Sequence, residues 1–306
     1  MATARLKWLE ISADYRCNNR CLGCFSLGDS AASMTGEEQL RALLSARQRG
    51  ADSLWLGGGE PTLRSDLLGV VRAARRLQYR RILLQTNGMR LAYPAFARQL
   101  FEAGVNTVSF SIKGASAATH DALAQTPGCH ELMLRAFEAC REHGVRIEAD
   151  LLIYRRNTAE LPAMVKRYAE LGAEHFKVWL FTAAASGQGG EALRHEVPQI
   201  REVMPQIMAA MDLGLGPREG FITSLHTPPC TIPEGYEGCR FHAASLGLLV
   251  ANPGGHQFML EDSAIEGGVY LERCERCALR SRCGGIRAEY LTLFGDEEFQ
   301  PILADA

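Results

Sequence analysis

The chain has 306 residues, a formal net charge of -2 and 47% hydrophobic residues, enough to bury a large core as one α/β domain or as a large domain with a small appendage. That balance gives no electrostatic case for nucleic acid or an anionic membrane surface. No apolar run approaches the roughly 20 residues that span a bilayer, and residues 1–7 lack the apolar core of a secretion signal, so the expected location is the cytoplasm.

Residues 6–13 read as a strand, and Cys17, Cys21 and Cys24 follow at once in a loop. Thr35 with Glu38 has the form of a capping box and opens a helix running to about Arg49. A short strand at 53–56 ends in Gly57-Gly58-Gly59-Glu60-Pro61, and a helix at 65–77 leads to the strand 81–86 and the turn Asn87-Gly88. A helix at 93–103 precedes the strand 106–112. Helices at 130–143 and 160–171 precede strands at 146–153 and 175–181. Six βα-type units in succession are the signature of a parallel sheet with helical crossovers. Right-handed crossovers curl it into a partial (β/α)6 TIM-like barrel, with chemistry expected at the C-terminal ends of the strands. The cysteine triplet and the glycine run both fall there.

After residue 181 the rhythm breaks. Residues 182–190 read as a small-residue loop, 197–211 as an amphipathic helix, 246–260 as a hairpin and 286–293 as a final helix. The expected division is a barrel core over 1–190, a helical linker over 191–222 and a small cysteine-rich domain over 223–306.

Ten cysteines is a high count for a reducing compartment, and their positions are uneven. Cys129 and Cys140 stand alone and read as small buried apolar residues. The others form two groups, which suggests two metal sites. The first three can converge on an iron–sulfur cluster, one ligand short of the usual four. A structural zinc ion would want a fourth protein ligand, and no histidine lies within twenty residues of the triplet.

These features resemble the radical S-adenosylmethionine (radical SAM) enzymes. Cys17, Cys21 and Cys24 match the family's CxxxCxxC signature, Gly58-Gly59-Glu60-Pro61 is similar to its GGEP segment, and Thr86-Asn87-Gly88, Ser109 to Ile112, His120-Asp121 and Asn157 to Leu161 keep the family's order. The resemblance covers about residues 6–190 and implies a [4Fe–4S] cluster on the three thiolates, with S-adenosyl-L-methionine chelating the fourth iron. It implies that Glu60 accepts a hydrogen bond from the methionyl ammonium while Gly58 and Gly59 let the ligand approach. Asn87 belongs to the same cofactor site. Ser109 or Ser111 would meet the ribose or the methionyl carboxylate, and Leu152 or Ile153 would line the adenine. Lys113 reads as a solvated lysine at a strand end, or as one that reaches a carboxylate. Gly23 departs from the pattern, since relatives carry an aromatic residue there.

The tail holds Cys230, Cys239, Cys274, Cys277 and Cys283. It looks like the auxiliary-cluster domain called Twitch, a reduced form of SPASM, which implies an auxiliary [4Fe–4S] cluster on Cys230, Cys274, Cys277 and Cys283. Cys239 competes with Cys230 for one ligand position, or is spare, either as a hydrogen-atom donor in catalysis or as a buried thiol. Zinc in the tail is the other reading of CxxC spacing. The resemblance implies a radical enzyme acting on a C–H bond of a small metabolite or a ribosomally made peptide. It also implies an external electron donor such as flavodoxin or ferredoxin. The first strand begins near residue 6, which favours a small metabolite or a short peptide brought by a delivery partner over a chain with its own leader-binding domain. A non-catalytic iron–sulfur carrier or scaffold is the alternative.

Overall fold

The computed structural model describes residues 6–28, 32–186, 190–263 and 268–303; residues 1–5 and part of the expected 182–190 loop lie outside that set. Nine strands form one sheet: Trp8–Ser12 (β1), Ser53–Gly57 (β2), Arg81–Thr86 (β3), Thr107–Ile112 (β4), Arg146–Ile153 (β5), Ala173–Leu180 (β6), Ile222–Leu225 (β7), Leu248–Ala251 (β8) and Gln257–Met259 (β9). Their spatial order is β7-β6-β5-β4-β3-β2-β1-β8-β9. Every pairing is parallel except the β8–β9 hairpin. The α-helices are Gly36–Gln48 (α1), Leu67–Arg76 (α2), Pro94–Ala103 (α3), Ala117–Ala124 (α4), Cys129–Glu142 (α5), Leu161–Glu170 (α6), Ile200–Met211 (α7) and Ala288–Phe294 (α8).

Local chemistry sets the element boundaries. Thr35 and Glu38 complete a reciprocal capping box at the start of α1. Leu67, Val70, Val71 and Ala74 form the buried stripe of α2, and comparable stripes on the other crossover helices build the main core against one face of the sheet. Asn157 joins two strand ends. Its amide donates to the carbonyls of Lys113 (2.8 Å) and Leu152 (3.0 Å), and its oxygen accepts from the Tyr154 backbone (2.7 Å).

The six expected strands are present, and two further parallel strands extend the sheet. β7 lies in a Gly/Pro-rich passage and is only four residues long, too short for its alternation to stand out. β8 pairs with β1. The sheet therefore extends beyond the expected barrel core, through β7 at the junction of the expected linker and tail and through β8 and β9 in the tail. The short helix α4 also escapes the sequence reading. Cys140 is a fully buried core residue, and Cys129 is buried with its thiol 3.3 Å from Asp121 Oδ1.

The opposite face of the sheet is the barrel interior, and it is divided. One part is apolar, built from Trp55, Leu83, Leu248 and Val250 with Trp8 and Trp179 against them. The other is a charged network. Lys177 Nζ lies 2.9 Å from Asp150 Oδ1, 3.3 Å from Glu148 Oε2 and 3.0 Å from Ser109 Oγ, and it sits 4.9 Å from the Trp55 ring. Gln85 and Ser109 both donate to Asp150 Oδ2, at 2.8 and 2.9 Å. Arg81 pairs with Glu148, and Arg146 reaches it at 3.3 Å.

Burial alone would push the Glu148 carboxyl up, but His175, Lys177 and Arg81 hold it well below the usual range. The unfolded chain, with a glutamate pKa of about 4.3, therefore takes up this proton first. The contribution is complete above that value and is lost as pH falls below it. Urea unfolding at pH 7 should show Glu148→Gln destabilised by about 3–5 kcal/mol, the cost of breaking a buried charge network. The wild type should lose stability below about pH 4.3, and the variant should lack that part of the decline.

Candidate functional site

The loop after β1 is held to the turn after β2 by backbone hydrogen bonds. Gly59 N donates to Asp14 O (2.9 Å) and Glu60 N to Arg16 O (2.8 Å). Such an approach needs bare backbone. Gly58 has φ +101°, and a Cβ there would sit 2.6 Å from Asp14 O; at Gly59 it would sit 2.5 Å from the carbonyl carbon of Tyr15. Arg64 braces the same junction, donating to Asp14 Oδ2 (3.0 Å), Met34 O (2.9 Å) and both oxygens of Asp66 (2.9 and 2.7 Å).

The far side of the loop rests on α4 and β5. Arg20 N donates to Ala124 O (3.2 Å), Leu22 N to Leu123 O (2.9 Å), and the Tyr154 hydroxyl to Leu22 O (2.7 Å). Cys17, Cys21 and Cys24 are half-buried, with the Asn87 amide 3.9 Å from Cys17 Sγ and 2.8 Å from Asn18 Oδ1. Burial pushes the Cys17 thiol up to about 12, and Glu60, Cys21 and Cys24 add to the rise. A thiolate here therefore needs a bound cation to offset its charge. Three soft donors gathered on one tethered loop fit an iron–sulfur cluster with one iron left without a protein thiolate.

The structure gives the partners of two residues expected at the cofactor, Glu60 and Ser109. Glu60 is buried, and its carboxylate accepts from Thr62 N (3.0 Å), Thr62 Oγ1 (2.6 Å), Thr86 Oγ1 (2.8 and 2.9 Å to its two oxygens) and Asn87 N (2.8 Å). Four donors surround the carboxylate, so this acid ties the ends of β2 and β3 together. Ser109 bonds to Asp150 and Lys177, inside the barrel network. Ser111, two residues on, is half-buried and accepts from Lys113 Nζ (2.9 Å). Lys113 itself is only 2% exposed, which overturns the solvated reading. Leu152 shares the interior parity of Glu148 and Asp150, whereas Ile153 belongs to the core beneath the helices.

In the tail, Cys230, Cys274, Cys277 and Cys283 line one cleft enclosing about 410 Å³, walled also by Pro228, Pro229, Tyr270 and Phe299. Burial pushes the Cys230 thiol up to about 11, with Cys283, Cys277 and Cys274 adding to the rise. Among the described residues, no three His, Cys, Asp or Glu side chains converge tightly enough to hold a single metal ion. The four thiols are all lining residues of the same cleft. Cys239 is not among them. It is fully buried in the core, on the helix-covered side of the sheet, and burial pushes its thiol up to about 11. Of its three expected readings, the structure shows a buried thiol outside the four-cysteine cleft.

The sequence reading missed Tyr154, Phe181 and the Glu148–Asp150–Lys177 network. Acids alternating at period two inside the apolar strand 146–153, with a lysine in the next strand, were the available signal for the network. Nothing local marks Tyr154 and Phe181, which sit at strand ends among other aromatic residues.

A parallel barrel that sets three thiols on its first βα loop against a glycine turn on its second defines a barrel enzyme built around a soft-metal centre. The pattern of the Radical SAM superfamily matches residues 12–168, and the chain belongs to that family. It is 31% identical over 179 residues to the AdoMet-dependent heme synthase of Methanosarcina barkeri, covering 58% of this chain and 50% of that protein. It is 28% identical over 194 residues to a probable GTP 3',8-cyclase of Thermoplasma volcanium, covering 62% and 59%. The chain thus spans about half the length of the curated relatives it matches. Among solved structures, Streptococcus suis SuiB bound to the precursor peptide SuiA superposes with a TM-score of 0.69 at 14% identity, over 99% of this chain and 76% of that one. Coproporphyrinogen III oxidase (HemN) from Escherichia coli gives 0.50 at 15% identity, over 69% and 53%. These likenesses show the fold. Among the described residues no helix is long and apolar enough to cross a membrane.

Gly59→Ala should drive the two loops apart. A loss of about 1–3 kcal/mol in urea unfolding is expected from overpacking at a backbone contact, together with reduced iron binding after anaerobic reconstitution.

Proposed function

We propose that this chain is a radical SAM enzyme acting on a C–H bond, with a second, auxiliary [4Fe–4S] centre in its tail. The observation that carries this is the loop of Cys17, Cys21 and Cys24 docked on the Gly58–Gly59 turn at the C-terminal mouth of the barrel. When bound, the cluster and S-adenosylmethionine supply a 5'-deoxyadenosyl radical, formed with an electron from an external donor such as flavodoxin or ferredoxin, which removes hydrogen from the substrate.

The protein's own residues bind, orient and exclude water. Cys17, Cys21 and Cys24 hold the first cluster. Gly58 and Gly59 give the ligand access to backbone. Asn87 steadies the loop beside Cys17. Ser111 and the buried Lys113 offer a hydroxyl and an ammonium to a carboxylate, and Leu152 an apolar surface to the adenine. Cys230, Cys274, Cys277 and Cys283 hold the auxiliary cluster, with all four thiolates engaged, which favours electron transfer over direct substrate binding.

The substrate is a ribosomally made peptide or a small metabolite. The peptide bound to SuiB supports the first, and the heme synthase and cyclase relatives support the second. A delivery partner would bring the short peptide in the first case.

Reduced protein given S-adenosylmethionine should release 5'-deoxyadenosine, and Cys21→Ala should abolish the release; a wild-type protein that releases none overturns the proposal. Iron should total about eight per chain. It should fall to about four in Cys274→Ala/Cys277→Ala, and it should fall in Cys230→Ala. Cys239→Ala should leave it unchanged, so an iron loss there instead of at Cys230 would exchange the two ligands.

A further inference from the structure

A small apolar cluster, separate from the main core, sits against the cysteine loop. Leu123, Tyr154, Phe181, Ala183 and Val197 form it, with Leu22 of the loop, Leu152 and Leu193 packed on them. The Tyr154 and Phe181 rings stack with centroids 4.6 Å apart and planes 26° from parallel. Both side chains are almost wholly buried. The Tyr154 hydroxyl donates to the Leu22 carbonyl at 2.7 Å. On the next residue, Gly23 takes φ +63°, and a Cβ there would lie 2.5 Å from Phe181 Cζ and 3.2 Å from Leu193 Cδ1. Phe181 itself comes from the chain just beyond β6, where its N–H donates to Ile153 O (2.9 Å).

Resting on the cluster assignment proposed above, we infer that Tyr154 and Phe181 are positioning residues that clamp the segment between Cys21 and Cys24. The ring of Phe181 fills the space that a side chain at residue 23 would occupy. It reaches the loop from the opposite end of the sequence's barrel core, so the conformation between the two cysteines is set by β5 and β6. The tyrosine holds the Leu22 carbonyl, and the phenylalanine holds the left-handed Gly23 backbone. The two contacts act on adjacent peptide units, which fixes the direction in which the Cys21 and Cys24 thiols leave the loop. Phe181 is also one wall of a cleft of about 360 Å³ formed with Val197, His226, Arg287 and Tyr290, so it stands between that cleft and the loop.

The test uses the Cys274→Ala/Cys277→Ala background, so that only iron on the barrel loop is followed, and reads two quantities: the rate of iron loss to a chelator and the electron paramagnetic resonance spectrum of the reduced cluster. Phe181→Ala and Gly23→Ala should each lose iron roughly ten- to a hundredfold faster, the range for removing a supporting partner of a metal site, with an altered spectrum. Tyr154→Phe removes one oxygen, keeps the packing and should show a smaller change of the same kind. In Gly23→Ala/Phe181→Ala the new methyl meets no ring, so its effect should be less than the product of the single effects. Wild-type rates and spectra in Phe181→Ala and Tyr154→Phe, or a fully multiplicative double variant, would overturn the clamp. A background protein that binds no iron at the loop would instead defeat the cluster assignment, and the clamp with it.

Discussion

Two backbone hydrogen bonds, from Gly59 to Asp14 and from Glu60 to Arg16, are the constraint on which the arrangement of the site depends. The cysteine loop is irregular chain between a strand and a helix, with little apolar surface of its own. It can be ordered only by borrowing partners. The glycine turn after β2 supplies them at a separation that no side chain could tolerate. Every further brace then acts on a loop already placed: Arg64 on Asp14, Asn87 on Asn18, Tyr154 on Leu22. Glu60 serves the same end from below, because its carboxylate locks the glycine turn to the end of β3.

Beneath that mouth the barrel carries an unusual interior. A lysine shared by two carboxylates is stable only if each group keeps its partners, because an uncompensated buried charge costs several kcal/mol. Here Gln85, Ser109, Arg81 and Arg146 add donors to the two carboxylates, while Arg81 Nε is left without a hydrogen-bond partner. Such a lattice is a weak source of net stability but a strong source of register. Asp150 and Lys177 are opposed in the β5–β6 ladder, and Glu148 lies two pairs further along, opposite His175. A slip of one residue in β5 would send both carboxylates into the apolar layer under the helices and leave Lys177 unpaired.

How much of this was readable before the structure varied with the range of the interaction. The six strands, most of the crossover helices, and the two cysteine groups rest on local periodicity and spacing, and they are where the sequence placed them. β7 and α4 are short and carry weak patterns, so only tertiary pairing defines them. For Glu60 and Ser109, sequence shows a position near the strand ends but not the internal hydrogen bonds to Thr62, Thr86, Asn87, Asp150 and Lys177 that the fold gives them. Lys113 was mistaken for a solvated residue for the same reason. Cys239 shows the limit most clearly. Its spacing made it equivalent to Cys230, and both pack with the main core, but only Cys230 also lines the cleft with Cys274, Cys277 and Cys283.

That separation bears on how the two cysteine groups would differ in chemistry. With Cys239 in the core, the tail retains four thiols around one cleft, while the barrel loop retains three. On the proposed assignment the difference of one donor divides the work. Three thiolates leave an iron at the barrel loop for an external ligand, and four leave none in the tail. The connections reinforce the division. The chain that carries Cys230 leaves β7 at one edge of the sheet and returns as β8 beside β1, the strand that feeds the cysteine loop. The tail is thus tied to both edges of the barrel sheet, and a centre held there keeps a fixed relation to the loop even though its own segment is rich in turns and poor in core. On the proposed assignment, one centre that accepts a ligand and one that is closed would share a single continuous sheet.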